Sequence, residues 1–409
     1  MNCRNCKSNN FFKMLDLGKM PLANAYLKLK DLKKKEKKYP LVFAVCKKCW
    51  LVQTIHKISN KIIFKNDYAY FSSYSKSWLE HSKKYVEEIC NYFGKKSFKV
   101  LEIASNDGYL LQYFKKKNIY CLGVEPTKGT AIVAEKKGIN VIKDFFSFKL
   151  SMRLKSKKKM FDLVIANNVI AHVPDFYDII KGIENILTNT GIATFEFPHT
   201  IEMFKKNEFD TIYHEHYSYF TATVFNEIIK KNGLKIFKIK KLKSHGGSIR
   251  VYVCKNQLRS KKIQKSVIDL LSYEKKVGVL KINFYKKFRQ NTLKIKNNFL
   301  KFIHQIKKRN ATICCYGAAA KGNTFLNFMK LTHRDIKFVV DQNPQKQNKF
   351  LPGSKIPIKN SNFLINNKCN YILVLPWNLK KEIFKYLKQI NILSFSKGLV
   401  AIPKLIFFK

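Results

Sequence analysis

Read for its alternation of apolar and polar positions, the chain divides into four stretches. Residues 1–70 carry short strand-like runs, such as Leu41-Val-Phe-Ala-Val45, between polar turns. Trp78 to Phe93 sets apolar side chains at helical spacing and leads into a strand at Lys99 to Ile103. Strands and helices then alternate through residue 255. The strand runs are Leu122-Gly-Val-Glu125, Asp162-Leu-Val-Ile-Ala166 and Ile192-Ala-Thr-Phe-Glu196, followed by a hairpin-like pair at Leu234 to Leu242 and Ser248 to Val253. Such alternation predicts an α/β sheet with helices on both faces. Over 256–308, Val267, Leu270, Leu271, Val277, Leu280, Phe284 and Phe288 recur at helical spacing in a Lys-rich background, which predicts a long connecting helix or a helical pair. A second α/β unit over 309–409 has strand runs at Ala311 to Tyr316, Ile336 to Val340, Tyr371 to Leu375 and near Leu399.

Hydrophobic residues make up 46% of 409, enough core for two or three domains. No apolar run approaches the ~18 residues that cross a bilayer, and the first residues lack a signal-peptide core. A cytoplasmic chain without membrane association is the expectation. The net charge of +52 points towards nucleic acid, but the excess is almost all Lys, and the arginines stand singly along the whole chain. A surface that tracks phosphates predicts clustered Arg. The charge therefore reads as solvated faces, and no nucleic-acid partner is expected.

Cysteine placement changes the picture more. Cys3 with Cys6 and Cys46 with Cys49 form two C-x-x-C pairs in a region too small to fold well unaided. Four thiolates at the corners of a tetrahedron, with Zn–S near ~2.3 Å, leave no position for water, so they predict a structural zinc.

Lys99-Val-Leu-Glu-Ile-Ala-Ser-Asn-Asp-Gly-Tyr-Leu-Leu111 reads as strand, polar loop and helix, with Glu125 at the end of the next strand. That carboxylate is placed to grip the hydroxyls of a ribose. A dinucleotide needs G-x-G-x-x-G, and only Gly108 is present, so a diphosphate cofactor is disfavoured here. A nucleoside with a short zwitterionic tail, S-adenosylmethionine, fits better. Glu102 and Asn106 can reach its amino-acid end, and Asp144 with Phe145 can hold the adenine. Further on, Tyr213-His-Glu-His-Tyr-Ser-Tyr-Phe220 crowds imidazoles, a carboxylate and phenols, the groups that move protons.

Taken together with Pro21-Leu-Ala-Asn24, Tyr68-Ala-Tyr70, Ser72-Ser73, Gly123-Val-Glu-Pro126, Ala166-Asn-Asn168, His172-Val-Pro174, His245-Gly-Gly-Ser248, Gly317-Ala-Ala-Ala-Lys-Gly-Asn323, Val340-Asp-Gln-Asn-Pro344 and Leu375-Pro-Trp377, these features have a familiar order. The chain resembles the three-domain S-adenosylmethionine-dependent sugar C-methyltransferases, which act on nucleotide-linked 4-keto-deoxysugars. The resemblance covers nearly the whole length. It implies a zinc-binding domain (1–70), a class I methyltransferase Rossmann-like domain (71–255), connecting helices (256–308) and a C-terminal Rossmann-like domain (309–409) that closes over the substrate. For the cofactor it implies Glu102, Ala104, Asn106, Asp107, Gly108, Glu125, Pro126, Asp144, Phe145, Asn167, Asn168 and His172. For the chemistry it implies His216 as the base at sugar carbon 3, with Tyr213, Glu215 and one of Tyr68 or Tyr70 orienting the sugar or polarising its ketone.

His245 and Arg250 are read either as contacts to the substrate or its diphosphate, or as residues at a sheet edge. Lys321 and Asn323, after the small-residue turn of the last unit, are candidate contacts to the nucleotide end. His214 is expected to be structural, and Tyr217 and Tyr219 to be packing. The expected partner is the nucleotide-linked keto-deoxysugar alone, with the chain a monomer or homodimer. Three other readings compete: a nucleic-acid methyltransferase, a non-catalytic nucleotide-sugar-binding relative, and an NAD oxidoreductase. Base amino-methylation typically uses an Asn/Asp-Pro-Pro-aromatic turn, and Asn167-Asn-Val-Ile-Ala-His172 lacks those prolines.

Overall fold

A computed structural model of the protein describes residues 2–56, 58–63, 71–94 and 97–408, without the side chains of Asn60, Lys61 and His245. Strands β1 (Phe11–Met20), β2 (Tyr39–Cys46) and β3 (Val52–Ile55) form an antiparallel N-terminal sheet. The central domain supplies β4 (Val100–Ile103), β5 (Cys121–Val124), β6 (Asn140–Ile142), β7 (Phe161–Asn167) and β8 (Leu187–Pro198). A two-residue strand, β9 (Ser218–Tyr219), leaves the central domain and joins the N-terminal sheet by pairing with β3. β10 (Leu234–Leu242) and β11 (Ser248–Lys255) return to the central sheet. Its order is β10-β11-β8-β7-β4-β5-β6, parallel except for the last hairpin. This is the class I methyltransferase sheet expected from the sequence.

The inner strands β4, β5 and β7 are largely apolar because both faces are covered, and successive residues go to opposite sides. Val100, Leu163 and Ile165 pack with Tyr85, Val86 and Ile89 of the helix Lys76–Phe93. Leu101, Ile103 and Val164 pack on the other face with Ile179, Ile180, Ile183 and Ile186 of the helix Phe176–Ile186. Burying each of those isoleucines contributes about 1.5–3 kcal/mol, which stabilises an 11-residue helix too short to persist alone.

The connecting segment is a helical pair, Lys265–Val277 and Ile282–Lys308. The break falls at Gly278, whose φ of +85° is the left-handed cap that ends a helix and that a side chain would strain. From the first of these helices Glu274 reaches the N-terminus of the helix Ala222–Lys230. It accepts from the Ala222 and Thr223 amides, each at 2.7 Å, and its other partner is His199 Nε2 at 2.6 Å.

The C-terminal unit has β12 (Ile313–Tyr316), β13 (Val339–Val340), β14 (Ile358–Lys359), β15 (Tyr371–Val374), β16 (Lys397–Val400) and β17 (Ile406–Phe408), ordered β14-β13-β12-β15-β16-β17. β13 is shorter than its apolar run because Ile336 is taken into a turn, its amide donating to the Thr332 carbonyl at 3.0 Å. One core joins all three parts: Phe43 of β2 meets Phe204, which stacks on Phe288 of the long helix at 4.1 Å between ring centroids. Among the described residues no helix is long and apolar enough to cross a membrane.

Candidate active site and metal centre

Both C-x-x-C turns end on a residue forced into the left-handed region, Lys7 at φ +61° and Trp50 at φ +62°. This curls each turn so that its two sulfurs face the other pair. The Sγ atoms of Cys3, Cys6, Cys46 and Cys49 all lie within 4.8 Å of one another, with Cys3–Cys49 and Cys6–Cys46 each at 3.5 Å. A Zn–S length near ~2.3 Å implies tetrahedral edges of roughly 3.8 Å, so the donor set fits zinc. Gln53 Nε2 donates to Cys3 Sγ at 3.1 Å, an outer contact of the kind that orients a metal ligand.

The metal centre is tied to the segment thought to carry the chemistry. Arg4, inside the first knuckle, donates through Nη1 to the carbonyls of Thr54 at 2.7 Å and Tyr217 at 2.9 Å. The Thr54 hydroxyl then donates to the His216 carbonyl at 2.9 Å. The pairing of β9 with β3 continues this brace.

At the C-terminal edge of the central sheet, the loop after β4 bends through Ala104 (φ +55°), Asn106 (φ +49°) and Gly108 (φ +73°). A Cβ on Gly108 would come within 2.4 Å of Ile139 Cδ1, so helix packing as well as conformation demands glycine there. Glu125 holds the loop in place: it accepts from the Asn106 amide at 2.9 Å and, across Pro126, from the Thr127 amide at 2.8 Å. The preceding segment is strapped on top, with the Ser72 amide donating to Asn106 Oδ1 at 2.9 Å and the Ser73 amide to Asp107 Oδ2 at 3.2 Å.

Within this pocket Glu102 Oε2, Asn167 Oδ1 and Asn168 Nδ2 are buried with no hydrogen-bond partner among the described residues. Burial pushes the Glu102 carboxyl well above the usual carboxylate range. Acceptors on neighbouring strand ends, beside an amide donor, suit the ammonium, carboxylate and hydroxyls of S-adenosylmethionine. Asp144 and Phe145 lie just past β6, both exposed on the same edge. S-adenosylmethionine fits the pocket that these residues form.

Beside it the histidines converge. His216 and His172 meet edge to face with ring centroids 4.6 Å apart, and Tyr213 lies 4.1 Å from His216. The Thr211 carbonyl is 2.8 Å from His216 Nδ1. A carbonyl can only accept, so Nδ1 carries the proton and Nε2 the lone pair. Burial lowers His172 to about 4, which keeps this imidazole neutral beside His216. Glu215 is fixed by Asn24, whose Nδ2 donates to Oε1 at 2.7 Å. Asn24 was legible only as the polar end of Pro21-Leu-Ala-Asn24; the contact spans 191 positions.

His214 points the other way into the core, 1% exposed, with its Nε2 donating to the Tyr39 carbonyl at 3.2 Å. Tyr217 and Tyr219 are buried, their hydroxyls donating to the Ile58 and Thr211 carbonyls. Tyr68 and Tyr70 lie outside the described residues, as does the His245 side chain.

Arg250 is on β11, an inner strand rather than a sheet edge. Its Nη2 pairs with Glu196 Oε2 at 2.7 Å, and its guanidinium lies over the Tyr85 ring at 4.2 Å. Burial disfavours the Glu196 anion, yet His81 and Arg250 outweigh it and bring the carboxyl down to about 2. Lys321 lies in the first turn of the helix Ala320–Phe328. Its ammonium donates to Asn378 Oδ1 at 2.6 Å and lies over the Trp377 ring, while Asn323 is buried beside Asn327. Neither joins the histidine group.

Comparison with known proteins matches residues 3–64 to a zinc binding domain, 77–239 to a methyltransferase domain and 243–403 to a C-methyltransferase C-terminal domain. The C-methyltransferase NovU of Streptomyces niveus is 29% identical over 388 residues, covering 95% of this chain and 92% of its own. Among solved structures, magnesium protoporphyrin IX methyltransferase from Synechocystis PCC 6803 with bound S-adenosylmethionine aligns at 12% identity over 44% of this chain and 79% of its own, with a TM-score of 0.34. The glycopeptide N-methyltransferase MtfA aligns at 12% over 42% and 94%, also with a TM-score of 0.34.

Proposed function

We propose that this chain, an S-adenosylmethionine-dependent C-methyltransferase with a structural zinc domain, methylates a nucleotide-linked 4-keto-deoxysugar at the carbon next to the ketone, carbon 3, in deoxysugar biosynthesis. The observation that carries the reading is the contact between His216 and Thr211, which leaves Nε2 as the basic nitrogen of a ring held against His172 and Tyr213. A C–H bond beside a ketone is acidic enough for such a base when the enolate oxygen meets a donor. His216 Nε2 takes the proton, the C–H electron pair moves into the carbonyl, and Tyr213, whose ring lies against His216, supplies a hydroxyl donor to the enolate oxygen. Glu215, held by Asn24, orients the sugar hydroxyls. Bound S-adenosylmethionine supplies the electrophilic methyl group. Glu102, Asn167 and Asn168, with their buried Oε2, Oδ1 and Nδ2 atoms, hold it at the strand ends, so proximity does much of the work.

The test is incubation of the purified protein with labelled methyl donor and a panel of dTDP-, CDP- and GDP-linked 4-keto-6-deoxysugars. Label should enter one sugar at carbon 3. In D2O without donor, the same position should exchange its hydrogen, and His216→Ala should reduce both processes by about 10²-fold or more. Label at carbon 5, the other carbon flanking the ketone, would move the assignment. No label in any sugar would end it.

A further inference from the structure

The carbonyl that orients His216 belongs to a short helical turn, Phe209–Thr211, and that turn is held from the far end of the chain. Trp377 of the C-terminal unit donates its indole N–H to Asp210 Oδ2 at 2.8 Å, a buried contact spanning 167 positions. Phe209, on the other side of Asp210, is fully buried, with its ring centroid 6.0 Å from that of Phe325 and 5.5 Å from that of Phe328. Within the turn the Thr211 hydroxyl donates to the Glu208 carbonyl at 2.7 Å. The Thr211 carbonyl itself serves both His216 Nδ1 at 2.8 Å and the Tyr219 hydroxyl at 3.0 Å. There is no room to slip: a Cβ on Gly246 would fall 2.2 Å from Glu208 Oε1 and 2.6 Å from the Trp377 ring.

We infer that Trp377 and Asp210 are positioning residues for His216. The C-terminal unit, through this indole–carboxylate contact, sets the place of the Thr211 carbonyl and hence the tautomer and orientation of the imidazole. The inference rests on His216 being the base. It gives the C-terminal unit a part in the proton transfer that is separate from any grip on substrate. Neither residue touches the reacting atoms. The carbonyl facing Nδ1–H also stabilises the imidazolium, so a looser turn lowers the affinity of His216 for its proton.

The full-length zinc-loaded enzyme is compared with Trp377→Phe, which keeps the ring and removes the donor. Asp210→Ala removes the acceptor, and Asp210→Asn keeps an oxygen for the indole. Trp377→Phe and Asp210→Ala should lower kcat about 10-fold, with KM for the methyl donor unchanged and the acid limb of the kcat profile moved to lower pH. Asp210→Asn should recover most of the loss. In 15N-histidine spectra, His216 should pass from one Nδ1–H tautomer to a mixture in the impaired variants. A Trp377→Phe enzyme with unchanged kcat, acid limb and His216 shifts would overturn the inference, as would a loss explained wholly by a smaller folded fraction. If His216→Ala stays active, the base assignment fails, while the nitrogen shifts still decide whether Trp377 sets the tautomer.

Discussion

Arg4, between the two cysteines of the first knuckle, lies 2.9 Å through Nη1 from the carbonyl of Tyr217, the residue that follows His216. The zinc domain is thus a brace for the candidate base as well as a small folded unit. Removing the metal should disturb the chemistry even though no zinc ligand lies in the cofactor pocket. Purified protein should hold one zinc per chain, and Cys46→Ser should lose it together with activity. Arg4→Ala should keep its zinc and still lose activity, by up to about 10²-fold if the His216 segment moves by an ångström. Metal analysis beside kcat separates the two, and full activity in Arg4→Ala would show that the brace is not needed.

Glu102 is a buried carboxylate at the end of β4 whose Oε2 has no partner among the described residues. If it receives the ammonium of S-adenosylmethionine, Glu102→Gln removes a charge-assisted hydrogen bond of about 1.5–3 kcal/mol. Calorimetric titration with S-adenosylhomocysteine should then show binding weakened roughly 10- to 100-fold. Equal affinity in the variant would take Glu102 out of the cofactor site.

Glu196 and Arg250 form an ion pair with both side chains at most 2% exposed. Losing Arg250 leaves the buried Glu196 carboxylate with only His81 and Ser244 as partners among the described residues, so Arg250→Met should destabilise the fold by up to about 3–5 kcal/mol in urea melts. The pH dependence follows from the Glu196 carboxyl, held down to about 2. A depressed carboxyl stabilises the fold fully above its unfolded pKa and loses that contribution as pH falls towards the folded one. Stability should therefore drop between about pH 5 and pH 2 in the parent. Glu196→Gln should flatten that drop; an unchanged acid profile would contradict it.

Glu208 gives the opposite sign. Burial raises its carboxyl to about 8, so the folded chain keeps a proton that the unfolded chain has released at neutral pH. Its contribution is complete below the unfolded pKa, declines from about pH 4.5 upward and is lost as pH passes through about 8. Glu208→Gln should raise the melting temperature relative to the parent at pH 8.5 more than at pH 5. Parallel melting curves across that range would refute the assignment.

Much of this was legible in the residues because the signals are local. The two C-x-x-C pairs were readable as one metal centre, since a knuckle is shaped by four consecutive residues. The loop from Glu102 to Gly108 could be placed at a strand end from periodicity, and the missing glycines disfavoured a diphosphate. The central strands came through because the inner ones are buried on both faces, which writes mostly apolar runs. The helical pair came through too, although the break at Gly278 had not been singled out. Arg250 and Lys321 were harder to place. An isolated basic residue carries no sign of its partner, and their partners Glu196 and Asn378 lie 54 and 57 positions away.

The amino-acid order alone pointed to the α/β class, the two C-x-x-C turns, the polar loop after β4 and the crowd of proton-moving groups around His216, because each depends on neighbours within a turn or a strand. Only the tertiary structure decided how His216 is held. Its Nδ1 is held by a carbonyl five residues back, the turn bearing that carbonyl is fixed by Trp377, and the strand beyond it is gripped by Arg4. The last two of these contacts join segments more than 160 residues apart. They form because burying Phe209 and pairing β9 with β3 bring those segments together, which no local pattern of residue types encodes.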